Sequence, residues 1–307
     1  MDFDKHRKSQ LLEIKDITKY LQTNGFSSIK LQQQCRHITG SVVKNRIIQF
    51  FKLASTVEVA ERTKNEFKWN ELINNTKGLT ISVPKNYESG EYKGLFWLTC
   101  KFAEKAPLAD ASQTDKTKKL EKNLNKIALT AADILNIKTN ILLPNDKKET
   151  EEKDMQKVFL DRLKHWMSLF DKDVDDLYRF IEKRMKFAQI APSHGDFVPW
   201  HMLTTKNNKL LLIDGEHSKI EGFKFYDVAY FYHRVYTKLK RPDIADSFLK
   251  EFNNIFSFNK SDKECFRLIL AQRVIGGYMD AKYDLLTSVE HQNTLMNNIL
   301  DDKILLN

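Results

Sequence analysis

The sequence predicts an α+β chain in two lobes: a small antiparallel sheet carrying one helix over residues 1–103, then a mostly helical lobe over residues 104–307. Three observations carry that reading. β-branched and aromatic runs dominate the first third, apolar residues at helical spacing dominate the text from Ala111 onward, and an island of loop and strand at 193–213 interrupts the helical part. With 307 residues the chain can bury a full core, as one two-lobed unit or as two small domains.

Leu11, Leu12, Ile14, Ile17 and Leu21 recur at roughly helical spacing and Asn24-Gly25 supplies a stop, which predicts an amphipathic opening helix. Strands are expected over 29–34, 37–43 and 46–53, with Lys44-Asn45 as a hairpin turn, and a helix follows over about 57–73. Residues 79–83 and 94–102 are the next expected strands, flanking a polar turn that contains Ser89-Gly90. Further on, Leu120, Leu124, Ile127, Ala128 and Ala131 form one helical stripe; Met155, Val158, Phe159, Leu163, Trp166, Met167 and Phe170 form another. Residues 144–154 between them are expected to be an exposed, mobile, charged connector. After Asp227 the chain reads as helix again.

Charge and cysteine content exclude several classes. A net charge of +9 suits nucleic acid, but lysines alternate with acids, as in KKLEKNLNK and KKETEEKD, the pattern of solvated helix faces. No interleaving of aromatic and basic residues marks an RNA-binding sheet, so a small-molecule partner is expected and no nucleic acid. Cys35, Cys100 and Cys265 are odd in number and scattered, which suggests neither a disulfide framework nor a zinc site. No apolar run spans a bilayer and MDFDKHRKSQ lacks a signal-peptide core, so no membrane partner and a cytoplasmic setting are expected.

The densest chemistry lies in the island. His194-Gly195-Asp196 opens HGDFVPWH, and eighteen residues after Asp196 comes Asp214, closing a short apolar strand in Ile213-Asp214-Gly215-Glu216. A carboxylate on a loop can orient a hydroxyl and accept its proton, while one at a strand end can hold the magnesium of a nucleotide. An Asp after Gly more commonly caps a turn. Two carboxylates at this spacing favour phosphoryl transfer. Gly215 is expected to let the chain turn sharply, and Glu216 to touch the metal shell or an acceptor, or to stay solvated.

The segments HGDFVPWH and IDGE are similar to the HGDxxxxN catalytic loop and IDxE metal-binding segment of the aminoglycoside phosphotransferase and choline kinase group of small-molecule kinases. In element order the resemblance to that bilobal, protein-kinase-like fold covers nearly the whole chain; its specific motifs occupy only 193–227. It implies a nucleotide-binding lobe at 1–103 and a catalytic, acceptor-binding lobe at 104–307. The implied activity is transfer of the terminal phosphate of ATP or GTP to a hydroxyl of a small molecule, such as an antibiotic, amino alcohol or sugar. Asp196 would be catalytic, Lys52 braced by Glu66 would hold phosphates, and backbone at Cys100 and Phe102 would face the purine. Asp214 and His201 would bind Mg2+.

His201 departs from the group's usual Asn, whose amide oxygen suits magnesium better than imidazole; macrolide phosphotransferase-type members also carry His here. In the group His194 and Asp227 brace the loop, and Asp227 also reads as a helix N-cap. The turn Gln34-Cys35-Arg36 lacks the glycines of a phosphate loop, and the bulky Phe50-Phe51 is expected to narrow the purine site. These departures motivate the alternative of a catalytically weak nucleotide-binding module. A protein kinase is disfavoured, because His-Gly-Asp stands in place of His-Arg-Asp and Asp-Gly-Glu in place of Asp-Phe-Gly, and the short stretch 215–226 between Asp214 and Asp227 leaves little room for a protein-substrate platform. Helices at 230–239 and 266–284 are expected to wall the acceptor site, where Glu216, Asp280 and Asp284 would attract amines if they face inward.

Overall fold

A computed structural model describes residues 12–34, 36–103, 106–149, 155–205 and 209–304. Five strands, β1 (Ser27–Gln34), β2 (His37–Lys44), β3 (Ile47–Ala54), β4 (Asn86–Tyr92) and β5 (Leu95–Lys101), pair antiparallel in the order β1-β2-β3-β5-β4. Asn45 and Arg46, with φ of 52° and 63°, form the turn between β2 and β3, the left-handed pair that matches strand twist. Alternation along β3 divides its side chains between two faces. Phe51 and Leu53 join Ile38, Val42 and Trp97 under helix α1 (Ile14–Thr23), which contributes Ile17 and Leu21. Lys52 points to the other face, so Phe51 packs away from it and does not narrow a site there. That second face is covered by α2 (Val57–Asn75), whose N-cap Thr56 accepts a hydrogen bond from the Val59 amide at 3.2 Å.

Two expectations in this half are corrected. The polar segment around Ser89-Gly90 is not a turn but β4, paired with β5 from Asn86↔Cys100 to Tyr92↔Leu95. An edge strand can be polar on both faces because it packs little core. Gly90 is needed there, since a Cβ would lie 2.7 Å from the Trp97 ring. Residues 79–83 are instead no strand of this sheet. They cross to the helical half, where Ile81 and Val83 enter its core and Ser82 exchanges backbone hydrogen bonds with Leu210 and Leu212 at 3.0 and 2.9 Å. Apolar, β-branched text signalled burial correctly and the partner wrongly.

The helical half contains α3 (Lys118–Glu121), α4 (Leu124–Leu135), α5 (Pro144–Glu149), α6 (Met155–Met167), α7 (Asp175–Arg184), α8 (Tyr226–Thr237), α9 (Pro242–Phe256), α10 (Lys260–Ala281) and α11 (Val289–Leu300). Phe225, Phe231, Phe248, Phe252 and Phe266 fill its centre around α10. The supposed connector is corrected in its first part. It starts as α5, with Asp146 only 2% exposed and its carboxylate accepting the Ile220 and Glu221 amides at 3.0 and 2.9 Å. Residues 150–154 of that expectation lie outside the described residues. Two small ribbons build the island: β6 (Ile190–Ser193) with β9 (Lys219–Phe223), and β7 (Met202–Thr204) with β8 (Leu210–Leu212). No helix among the described residues is long and apolar enough to cross a membrane.

Candidate active site

The loop after β6 is held by one buried carboxylate. Asp227 accepts hydrogen bonds from the His194 amide at 2.6 Å and the Gly195 amide at 2.9 Å. It does this from inside the first turn of α8; the capping position is Phe225, with φ of 65°, so Asp227 braces the loop but does not cap its helix. Burial pushes the Asp227 carboxyl up to about 7, against the pull of those two amides. Gly195 takes φ of 80°, and a Cβ there would lie 2.3 Å from the His217 carbonyl oxygen. His194 is fully buried with its ring 6.0 Å from that of Trp69, and burial lowers its pKa to about 3, so it stays neutral. A neutral, enclosed imidazole is a packing element.

Asp196, His201 and Asp214 converge. A short 3-10 turn at Pro199–His201 swings the His201 ring back, so that Nδ1 is 3.2 Å from the Asp196 carbonyl oxygen and 3.4 Å from its Oδ2, while Nε2 is 3.6 Å from Asp214 Oδ2. One ligand atom from each of the three lies within 4.8 Å of the others. Burial works against a charged imidazole, but Asp196 and Asp214 outweigh it and raise the His201 pKa. Asp214 itself adopts the left-handed conformation, φ 66° and ψ 50°, which Asp tolerates better than most residues and which turns its carboxylate off the end of β8. Gly215 therefore serves space and not the turn: a Cβ would sit 2.4 Å from Trp69 Cδ1.

Across the cleft, Lys52 reaches from β3 to three carboxylates: Glu66 of α2 at 2.7 Å, Asp214 at 2.7 Å and Glu216 at 3.3 Å. Burial opposes the ammonium, yet these acids hold it charged well above the usual lysine range. Burial would raise Asp214, but Lys52 brings it down to about 2. Glu66 is pushed up by burial, with Lys52 only partly offsetting it. Glu216 is neither solvated nor free for an acceptor, because it is 2% exposed and lies 2.5 Å from Arg36, 3.3 Å from His217 and 3.5 Å from His37. Cys100 is buried at the end of β5 opposite Phe50 and Asn86, and Phe102 lies just beyond, 38% exposed. From there the chain meets the island, the Leu108 amide donating to the Met202 carbonyl at 2.8 Å.

Several positioning residues escape sequence reasoning. Arg36 belongs to the glycine-free turn and pairs with Glu216; Cys35 lies outside the described residues. Asn65, one position before Glu66, donates to Ser218 O and Oγ at 3.0 and 2.9 Å, and Asn145 of α5 donates to the Glu216 and Ser218 carbonyls at 3.1 Å each. Together they fix the segment that follows Asp214. The helix order after the first sheet would have suggested Asn65; nothing local marks Asn145. On the other wall, Asp280 lies 2.5 Å from Arg234 and 3.6 Å from Arg273, and Asp284 lies 2.7 Å from Lys238. The acids expected to attract amines are thus already paired.

No protein-family profile matches the chain, and no curated protein sequence matches it. Solved structures do. Aminoglycoside phosphotransferase APH(4)-Ia superposes with a TM-score of 0.65 at 12% identity, covering 94% of this chain and 99% of its own. The GDP complex of aminoglycoside 2'-phosphotransferase-IIIa gives 0.60 at 14% identity, covering 95% and 100%. Spectinomycin phosphotransferase APH(9)-Ia, in complex with ADP and spectinomycin, gives 0.61 at 11% identity, covering 95% of each chain. With its antiparallel sheet, helical second half and near-complete superposition, this chain has the bilobal, protein-kinase-like fold of the aminoglycoside phosphotransferases.

Proposed function

We propose that the protein is a magnesium-dependent phosphotransferase that moves the terminal phosphate of ATP or GTP to a hydroxyl of a small molecule. The observation that carries this reading is the convergence of Asp196, His201 and Asp214 within 4.8 Å, with Lys52 spanning Glu66 and Asp214 at 2.7 Å each. Asp214 and His201 would hold a hard dication, the carboxylate suiting it better than the ring, with Asp196 beside them. Bound magnesium would neutralise charge on the nucleotide phosphates. Lys52 holds the phosphates electrostatically, and Glu66 keeps its ammonium aimed into the cleft. Asp196, 22% exposed on a braced loop, orients the acceptor hydroxyl and takes its proton. The strand end at Cys100 and Phe102 offers backbone groups to the purine.

Similarity to kinases that bind ADP or GDP with antibiotics supports the reaction class, and the short 215–226 segment supports a small acceptor. That segment is spent on a 3-10 turn, β9 and the entry to α8, which leaves no platform for a polypeptide. The test is labelled γ-phosphate transfer by the purified chain to a panel of hydroxylated metabolites and antibiotics. Asp196→Asn is expected to lower turnover by about 10²–10⁴-fold while nucleotide affinity holds. Nucleotide binding without transfer to any acceptor would support the weakly catalytic binding module instead, and label appearing mainly in protein would overturn the small-molecule acceptor.

A further inference from the structure

On α8, Asp227, Tyr230 and Arg234 follow one another along a single face at helical spacing, leading from the braced loop into the helical wall. The Asp196 charge acts on both the Tyr230 hydroxyl and the Arg234 guanidinium, so this face borders the catalytic loop. Arg273 approaches from α10, and its guanidinium carbon lies 4.4 Å from the Tyr230 ring centroid; that of Arg234 lies 5.1 Å from the same ring. Tyr230 and Tyr226 hydroxyls accept one hydrogen bond each, from Arg234 and Arg273, at 3.2 Å.

The two side chains are 9% and 7% exposed, and they share a single carboxylate, Asp280. Nε and Nη1 of Arg234 and Nε of Arg273 are buried with no hydrogen-bond partner among the described residues. Lys238, one turn beyond Arg234, adds a third cation, stacked 5.0 Å from the Trp200 ring and matched by Asp284. The wall itself sets three cations against two carboxylates, and the third acid near them, Asp196, lies on the catalytic loop. Buried guanidinium donors left without partners are costly unless something anionic completes them.

We propose that this wall is an anion subsite: the acceptor carries a carboxylate or phosphate in addition to the hydroxyl that faces Asp196, and polycationic acceptors are rejected. The inference rests on the phosphotransferase reading and deepens it. Fold alone does not transfer the antibiotic acceptor, because Arg234 and Arg273 repel the ammonium groups that make aminoglycosides cationic. A bidentate guanidinium contact suits either anion, and the residues do not discriminate between the two.

The full chain, loaded with magnesium and a non-hydrolysable ATP analogue, is titrated calorimetrically with gluconate, glucose 6-phosphate, glucose and kanamycin. At least one of the two anions is expected to bind tighter than glucose by about tenfold or more, the scale of a charge-assisted hydrogen bond; which of them binds tells carboxylate from phosphate. Arg234→Met combined with Asp280→Asn, which leaves no unpaired acid, is expected to erase that preference while nucleotide affinity holds. Arg273→Met, which leaves the Arg234–Asp280 pair whole, is expected to weaken the same anion and serves if the double variant does not fold. Kanamycin binding tighter than both anions, anions no tighter than glucose, or preference unchanged in the variants would each overturn the proposal. Anion binding here, with no transfer of labelled γ-phosphate from ATP to any acceptor of the panel, would instead keep the subsite and refute the phosphotransferase reading.

Discussion

Lys52→Met removes one charge and keeps a side chain of similar length, and its consequence can be worked out from the three acids around it. Glu216 retains Arg36 at 2.5 Å, and Asp214 is partly exposed with His201 at 3.6 Å. Among the described residues Lys52 is the one polar partner of Glu66, whose side chain is 7% exposed. The variant therefore buries an unpaired carboxylate, a defect on the scale of about 3–5 kcal/mol. Protonation sets a ceiling on that cost. Neutralising a carboxyl of usual pKa ~4.3 at pH 7 takes about 3–4 kcal/mol.

A carboxyl whose folded pKa is raised favours the folded state most below its usual range and loses that contribution as pH rises through the folded value. Glu66 is already raised in the parent and rises further in the variant. The Glu66 part of the stability gap should stay small until pH passes the raised value of the parent's Glu66, then widen by up to about 1.4 kcal/mol per pH unit until the variant's Glu66 ionises; the lost Lys52 contact to Asp214 adds a part that is constant above the usual Asp range. With ~2.1 cal/mol/K of unfolding entropy per residue, the Glu66 ceiling corresponds to a Tm lower by at most about 6 °C at pH 7 for this length. Melting curves of parent and variant from pH 4.5 to 8 check it, and Lys52→Met with Glu66→Gln should recover most of the loss. A Tm difference that does not change with pH, or no difference at all, would refute the reasoning.

Asp214→Ala is expected to abolish the part of nucleotide affinity that depends on magnesium, measured by calorimetry with and without the metal; an unchanged metal dependence would move the metal site elsewhere. His201→Asn should retain turnover, since an amide oxygen can replace the ring as a ligand, and collapse of activity in a folded variant would give His201 a role beyond coordination. Gly195→Ala combines φ of 80° with a Cβ 2.3 Å from a backbone oxygen, so denaturant unfolding should show a loss of about 1–3 kcal/mol and turnover should fall with the displaced Asp196. Parent-like stability in that variant would show that the loop can relax.

Local chemistry was legible in the fold wherever one element decided it. The Lys44–Asn45 region announced the β2–β3 hairpin, and the stripe through Ile17 and Leu21 announced the helix over the sheet. Failures came where identity depends on a distant partner. Ile81 and Val83 read as strand because buried apolar residues look alike whichever core they enter, and β4 read as a turn because an edge strand carries no apolar face. Helix α5 was hidden by its charges: Asp146 looks like any exposed acid until Ile220 and Glu221, 74 and 75 positions later, donate their amides to it.

The site divides along the same line. Asp196 and Asp214 stand out because loop, strand and spacing are written in one stretch, and Lys52 could be matched to Glu66 from the strand-to-helix order. Arg36 could not be matched to Glu216, 180 positions away, nor Asn65 to Ser218, 153 positions away. The sign of a charged wall is a property of partners brought together by folding, and a list of acids cannot supply it. Asp280 alone would draw an amine to the acceptor cleft. Set between Arg234 and Arg273, it only halves a positive charge, and the same residue that suggested a cationic acceptor becomes part of the case for an anionic one.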